Sequence, residues 1–390
     1  MAQIAVTAVI PCLNEERTIG ACVDKARAGL DALGQEGEVV VVDNGSSDRS
    51  AEVAAAHGAR VVREPVRGYG AALRAGVEAA RGAIVVMGDA DESYDWAALG
   101  PFVAKIREGY DLVIGNRFLG GIRPGAMPPL HRYLGNPVLS AITRLAFGVK
   151  LGDVHCGMRA CTRDAFARMS TATLGMEFAT EMVASAAYQG LRIAEVPTPL
   201  YPDKRGRPPH LRTFRDGWRH LRFILMHAPD YLYLVPGALL LAAGLLLQLL
   251  LAHGPVDLRG MHFGIHYVAL GAMLTLAGFN VLNLGVFAKA IMARRYPDST
   301  SRVLRLLTGR YTLEVGLIAG VLLMLCGVAT DALILASRLA NPGQGMESTV
   351  HLAFVATSAV VLGLNLVFSS FLLAMLLTSG PTGKRADRPR

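Results

Sequence analysis

An α/β domain with a mostly parallel sheet, followed by four transmembrane α-helices, is the fold predicted by this 390-residue sequence. Three observations predict it. Short β-branched runs alternate with helical patterns through the N-terminal half, which is the signature of a parallel sheet with right-handed crossovers. The C-terminal part carries four nearly uncharged apolar stretches, each long enough to cross the hydrocarbon of a bilayer. Basic residues gather beside those stretches. A hydrophobic fraction of 52% is therefore an average over two solvents.

The strand candidates are Ile4 to Ile10, Glu38 to Val42, Arg60 to Arg63, Ala83 to Met87 and Asp111 to Ile114. Between Glu15 and Leu33, the residues Ile19, Cys22, Val23, Ala26, Leu30 and Leu33 follow helical spacing. Ligands of such sheets bind beyond the carboxyl ends of the strands. Asn14, Glu15, Asp43, Asp89 and Asp91 all stand just after strands.

From about Leu130 the pattern changes. Val138, Leu139, Ile142, Leu145 and Ala146 form an apolar helical stripe. A second stripe, from Leu211 to Leu225, carries Phe214, Trp218, Leu221 and Leu225 on one side, with Arg212, Arg215, Arg219 and Arg222 on the others. A basic amphipathic helix with aromatics suits a membrane interface; the alternative is a helix packed on the domain's own core.

The apolar stretches run over Leu232–Ala252, Ile265–Ile291, Leu313–Ala336 and His351–Thr378. Between the second and third lie Lys289, Arg294, Arg295, Arg302, Arg305 and Arg310 against one acid, Asp298. The tail holds Lys384, Arg385, Arg388 and Arg390, whereas the connections near Asp257 and Arg338 are poor in basic residues. This bias predicts an integral protein of the cell inner membrane with the N-terminal domain, middle loop and C-terminus in the cytoplasm. Asn280 and Asn283, in the second span, fit interhelical hydrogen bonds or a polar pathway.

The expected domains are a catalytic domain over 1–205 that includes a first interfacial helix near 137–148, a basic interfacial helix over 206–230, a membrane domain over 231–380, and a basic tail over 381–390. The net charge of +8 fits the positive-inside pattern and anionic headgroups, which argues against nucleic acid as a partner. Five cysteines without a CxxC pair argue against a disulfide framework or a zinc site. Ala5 to Ile10 is too short for a signal-peptide core, so insertion is expected to depend on the C-terminal spans.

The pair Asp89-Ala90-Asp91 follows a strand. Two carboxylates so placed can hold a hard divalent cation, Mg²⁺ or Mn²⁺, against a diphosphate; the other use of such a pair is to cap a helix. Asp43 can accept hydrogen bonds from a nucleobase or close an Asx-turn before Asn44-Gly45. Arg67-Gly68-Tyr69-Gly70 opens a helix over Ala71–Ala80, either as a loop or as a phosphate cradle.

Ordered along the chain are Val9-Ile10-Pro11-Cys12-Leu13-Asn14-Glu15, Val41-Val42-Asp43-Asn44-Gly45-Ser46-Ser47-Asp48, Gly68-Tyr69-Gly70-Ala71-Ala72, Asp89-Ala90-Asp91 and Gly115-Asn116-Arg117. Asp153-Val154-His155-Cys156-Gly157-Met158-Arg159, Phe178-Ala179-Thr180-Glu181-Met182 and Glu195-Val196-Pro197 continue the order. This set, over about residues 3–225, resembles family-2 glycosyltransferases of the dolichol-phosphate mannose synthase type. The membrane half resembles, by hydropathy, the anchors of bacterial polyprenyl-phosphate glycosyltransferases.

The resemblance implies a GT-A catalytic domain, Rossmann-like in its sheet. It implies donor contacts from Pro11, Leu13, Glu15, Asp43, Gly70, Ala90 and Arg205, with the metal on Asp89 and Asp91. The family's Gln after the acid pair is replaced by Ser93, leaving water or Glu92 to complete the metal shell. Arg117 and Arg132 would bind the acceptor phosphate, and Lys204-Arg205-Gly206-Arg207 would close over the donor. Asp153 and Glu181 are open to sugar hydroxyls, a cap or a salt bridge.

The implied activity is inverting, metal-dependent transfer of one sugar from a UDP- or GDP-hexose to a polyprenyl phosphate of the undecaprenyl or decaprenyl kind. The bilayer is the third partner, and a homo-oligomer is allowed. Two alternatives stand beside it. One is a channel or flippase component that only binds the nucleotide sugar. The other is a processive polysaccharide synthase, although the Gln-x-x-Arg-Trp motif of those enzymes is absent from the sequence.

Overall fold

The computed structural model describes residues 4–206, 213–296, 312–341 and 347–378. The chain forms two compact units, Met1–His227 and Ala228–Arg390.

In chain order the first unit contains β1 (Val6–Cys12), α1 (Ile19–Ala32), β2 (Gly37–Asp43), α2 (Ser50–Ala56), β3 (Arg60–Arg63), α3 (Tyr69–Ala79) and β4 (Ile84–Met87). Next come α4 (Gly100–Arg107), β5 (Leu112–Asn116), the single turn α5 (Arg117–Gly120), α6 (Asn136–Phe147), β6 (Arg159–Thr162), α7 (Arg163–Met169), α8 (Phe178–Tyr188), β7 (Ile193–Pro197) and α9 (Thr213–His227). The seven strands lie in the order β3-β2-β1-β4-β6-β5-β7.

β1 is buried at all seven positions, and β2 at its last five. Helices cover both faces of such central strands, so they read as continuous apolar runs rather than alternating ones. The first four strands in the order are parallel, as are β5 and β7. β6 runs antiparallel to both β4 and β5. The sheet is therefore mostly, not wholly, parallel. The reversed strand has a consequence for the site: the chain enters β6 at the edge where the other strands end. Loop 153–158 thus joins the loops after β1, β4 and β5.

α6 and α9 pack in a way their apolar stripes do not suggest. α6 buries Ser140 and Thr143, while Val138 and Leu145 stay exposed. Thr143 Oγ1 donates to Leu139 O at 2.8 Å, and Ser140 Oγ accepts from Val154 N at 3.2 Å. α9 buries Asp216, His220, Phe223, Ile224 and His227, and leaves Phe214 83% and Trp218 59% exposed. Both core packing and an apolar outer face are present, on opposite sides of one helix. Leu211 and Arg212 lie outside the described residues.

The second unit carries α10 (Val235–Leu251), a short hairpin of β8 (Val256–Leu258) and β9 (Met261–Phe263), α11 (Ile265–Arg295), α12 (Thr312–Ala340) and α13 (Glu347–Thr378). Four helical stretches are long and apolar enough to cross a membrane: Asp230–Leu251, Ile265–Arg295, Leu313–Ala340 and Thr349–Leu377. Small residues let α10 and α11 approach: a Cβ on Gly237 would lie 3.0 Å from Gly278 O, and one on Gly271 3.1 Å from Gly244 O. Such small-residue contacts replace the hydrophobic effect as the packing device between helices in lipid. Gln248 Nε2 donates to Thr275 Oγ1 at 2.6 Å, making the interhelical bond for which Asn280 and Asn283 were candidates. Much of the basic middle loop and the whole tail 381–390 lie outside the described residues.

Candidate active site

The site begins where the strands end. The chain turns sharply after β1 and again in the β4–α4 connection, at Asn14 (φ 57°) and Glu92 (φ 62°). Asn14 Oδ1 accepts from Ser47 N at 2.7 Å, which ties the β1 loop to the β2 loop.

Asp89 lies at the floor of a cleft of about 960 Å³. Tyr69 Oη donates to Asp89 Oδ1 at 3.0 Å, and Trp96 Nε1 donates to the Asp89 carbonyl at 3.0 Å. Burial, and then the neighbouring Asp91 carboxylate, push Asp89 up to about 6. A Cβ on Gly157 would lie 2.5 Å from Asp89 Oδ2, so only glycine leaves that oxygen open on this side. Tyr94 Oη accepts from Gly157 N at 3.0 Å, joining the acid-pair loop to the loop before β6.

Asp91 Oδ1 accepts from Ser93 N at 3.0 Å and Ser93 Oγ at 2.5 Å. Its Oδ2 faces Arg205 Nη2 in a direct ion pair. Arg205 Nη1 stands 3.6 Å from Glu15 Oε1. Glu92 is held by Lys25 at 2.8 Å and Lys204 at 2.9 Å, which lowers its pKa. Among the described residues no group of three or more His, Cys, Asp or Glu gathers around one point. A divalent cation fits Asp89 and Asp91 on two grounds. Burial penalises the charge on Asp89, and a cationic side chain already stands on Asp91. With Ser93 and Glu92 both engaged elsewhere, water and a diphosphate would supply the remaining oxygens.

Arg117 and Asp153 form a buried two-pronged pair, Nε–Oδ2 at 2.6 Å and Nη2–Oδ1 at 2.8 Å. Asp153 thus takes its salt-bridge alternative. Two of the five guanidinium N–H groups are spent, and three remain on a side chain that lines the cleft. Arg159, quoted in the sequence motif without a role, is fully enclosed. It donates to Cys156 O at 2.8 Å, Ala179 O at 2.6 Å and Val154 O at 2.7 Å, fixing the loop that carries Asp153, His155 and Gly157. Glu181 Oε2 accepts from Ala172 N and Thr173 N at 3.0 and 2.7 Å, so it holds a loop over α3. Thr180 Oγ1 lies 2.7 Å from His220 Nδ1 and 3.4 Å from His155 Nε2. Burial lowers both imidazoles, His220 to about 4, and keeps them neutral.

The structure thus brings Pro11, Leu13, Glu15, Asp89, Ala90, Asp91, Arg117 and Arg205 to one cleft. Three other candidates are not on its wall. Asp43 is buried beside it and accepts from Ser46 N at 3.0 Å, as an Asx-turn does; Asn44 lines the cleft in its place. Gly70 sits behind Tyr69, its N–H donating to Leu174 O at 2.9 Å. Arg132 lies over the Tyr133 ring at 5.4 Å, and its neighbour His131 faces the cleft. Arg207 lies outside the described residues. Tyr69, Tyr94, Trp96, His155 and His220 were not singled out from sequence. Tyr69 and Trp96 meet on Asp89 after β4, while the reversed β6 and the seating of α9 bring Tyr94, His155 and His220 to the same site.

A carboxylate pair at the end of a central strand in a GT-A sheet, at the floor of a deep cleft, defines a glycosyltransferase. Residues 7–169 match the glycosyl transferase family 2 domain, and residues 286–377 match the C-terminal transmembrane region of that family. The low-salt glycan biosynthesis hexosyltransferase Agl6 of Haloferax volcanii is 40% identical over 369 residues, 94% of this chain and 88% of that protein. The dolichyl-phosphate hexose transferase of the same organism is 36% identical over 200 residues, 51% of this chain and 83% of its own. Among solved structures, glucosyl-3-phosphoglycerate synthase from Mycobacterium tuberculosis, in complex with Mn²⁺, uridine diphosphate and glucosyl-3-phosphoglycerate, is 25% identical. That match covers 58% of this chain and 80% of that one, with a TM-score of 0.46. The chain belongs to glycosyltransferase family 2 and is an enzyme of the integral membrane kind.

Proposed function

We propose that the protein transfers one hexose from a UDP- or GDP-sugar to a polyprenyl phosphate, at the cytoplasmic face of the membrane and with inversion at the anomeric carbon. One observation carries this reading. The cleft that holds the acid pair is also lined by apolar side chains that are themselves exposed: Leu130, Leu134, Val138, Phe214 and Trp218. Buried charge and exposed apolar surface in one cavity suit an acceptor that is a phosphate at one end and a hydrocarbon at the other. The names of the relatives, a dolichyl-phosphate hexose transferase among them, support the same acceptor.

The chemistry follows from the acceptor. A phosphate monoester has its second pKa near 6, so it is mostly a dianion at neutral pH and already a nucleophile. A general base is not required. A phosphate oxygen attacks the anomeric carbon, the bond from that carbon to the nucleoside diphosphate breaks, and the electron pair leaves with the diphosphate. The protein's part is positioning and charge management. Arg117, preorganised by Asp153, holds the acceptor phosphate in the cleft; Arg132, which lies over Tyr133 off the cleft wall, would have to turn inward to join it. Pro11, Leu13 and Glu15 serve the nucleoside side from the cleft wall with Asp43 buried beside them, and Ala90 lines the donor path while Gly70 supports it from behind Tyr69. Asp89 and Asp91 would hold a divalent cation, which would supply charge neutralisation at the departing diphosphate.

The test is turnover with purified full-length protein, undecaprenyl phosphate and radiolabelled UDP- and GDP-hexoses. Label should enter the organic phase with equimolar release of nucleoside diphosphate. Asp91→Asn or EDTA should stop both, and Mg²⁺ or Mn²⁺ should restore the EDTA-treated enzyme. Nucleotide-sugar binding without release of diphosphate would favour a binding module. Label growing into a polymer would favour a processive synthase.

A further inference from the structure

We infer that Arg205 is a resident counter-ion on Asp91, which a divalent cation must displace, so that cation and nucleoside diphosphate bind cooperatively. The inference rests on the metal and donor reading above and adds an order to it.

Asp91 has two oxygens. Oδ1 is taken by the Ser93 amide and hydroxyl. Oδ2 is therefore the oxygen open to a cation, and the Arg205 guanidinium is on it. Two cations cannot share one carboxylate oxygen at bonding distance without strong repulsion. The guanidinium is deep, 11% exposed, with Glu15 at 3.6 Å and Asp203 at 3.6 Å as further acids. Its position is also incomplete. Nε is buried and finds only the Asp203 carboxylate, at 3.6 Å and beyond hydrogen-bond reach, which costs free energy where it stands.

The segment carrying Arg205 is fastened just upstream. Tyr201 N donates to Ser93 O at 3.0 Å, and Lys204 N to Asp91 O at 3.1 Å. Lys204 Nζ reaches Glu92 at 2.9 Å. The strap thus stays on the acid-pair loop while one side chain beyond it can change partner. A nucleoside diphosphate offers that partner, because guanidinium and phosphate form short two-pronged bonds. When the diphosphate takes Arg205, Asp91 Oδ2 is released to the metal. When the metal takes Asp91, Arg205 is released to the diphosphate. Linkage makes the two effects equal in size. In the resting enzyme the guanidinium also offsets part of the repulsion between the Asp91 and Asp89 carboxylates.

The experiment measures Mn²⁺ binding by electron paramagnetic resonance on the full chain in detergent, with MnCl₂ alone and then with UDP or GDP. Arg205→Gln should bind Mn²⁺ alone about five- to a hundredfold more tightly than the wild type, the usual range of such couplings. The tightening of Mn²⁺ by nucleotide should shrink by the same factor. Arg205→Lys, still cationic, should stay near the wild type; Arg205→Met replaces the glutamine variant if that one is poorly folded. Metal binding by the Gln or Met variant no tighter than wild type overturns the inference, as does a nucleotide effect that survives unchanged. Asp91→Asn separates the two levels. If it leaves Mn²⁺ affinity intact, the metal reading itself fails, and the inference with it.

Discussion

Arg117 has two jobs to be told apart, and its pairing with Asp153 gives the means. The two bonds at 2.6 and 2.8 Å join side chains that are 10% and 0% exposed. Removing one member leaves the other charged and buried, which costs about 3–5 kcal/mol. For a unit of this size about 1 kcal/mol moves the melting midpoint by roughly 2–4 °C. Arg117→Met and Asp153→Asn should therefore each lower the midpoint by about 6–20 °C. The double variant should regain much of that loss, because neither charge is left alone. Transfer should not return with it. Loss of a charge-assisted bond to the reacting phosphate, about 1.5–3 kcal/mol, slows the step by roughly ten- to a hundredfold. The assay pairs thermal unfolding, followed by tryptophan fluorescence, with transfer rates at saturating donor. A double variant that recovers both midpoint and rate would refute an acceptor role for Arg117, and the phosphate would then belong to Arg132 and Lys204.

His220 is held neutral with a pKa of about 4, below the ordinary histidine value. The unfolded chain then binds more protons than the folded one between about pH 6.5 and 4, so stability should fall as pH drops through that window, by about 3 kcal/mol in all. His220→Gln should flatten the slope of midpoint against pH; an unchanged slope rejects the assignment. Phe214→Glu with Trp218→Glu should raise KM for undecaprenyl phosphate at least several-fold while leaving a short, water-soluble prenyl phosphate unaffected; equal effects on both acceptors would remove the lipid-facing role of α9. A cysteine at Ser299 and one in the tail should label only from the cytoplasmic side, and one at Gly345 only from outside. Opposite sides for Ser299 and the tail would break the four-span topology.

The sequence made the alternation of strands and helices legible, because the centres of β1 and β2 are buried on both faces and therefore written in apolar runs, Ala8–Ile10 and Val39–Val42. It did not reveal β6 or β7. Arg159-Ala160-Cys161-Thr162 has one β-branched residue, and its burial is decided by neighbours distant in the chain. The acid pair could be read because a carboxylate after a strand has few structural uses. Tyr69 and Trp96 could not, because their polar atoms act only on Asp89, across 20 and 7 residues. For Arg117 the motif order points to the acceptor phosphate, with a salt bridge as the alternative; its clamp by Asp153 depends on the reversed strand bringing residue 153 beside residue 117. The stripes of α6 and α9 were read correctly as apolar, but periodicity alone could not say which side faces inward.

The outward face of α6 has a practical corollary for anyone handling the catalytic unit alone. A helix that buries Ser140 and Thr143 while presenting Val138 and Leu145 is built for a solvent other than water. With Tyr133, Phe214 and Trp218 exposed on the same unit, residues 1–227 released from the bilayer would carry a sticky surface into buffer. Truncation at the first span would then yield aggregates, or a protein that copurifies with lipid. A useful soluble fragment would need those outward side chains made polar while Ser140 and Thr143 stay as they are, the reverse of ordinary surface and core design.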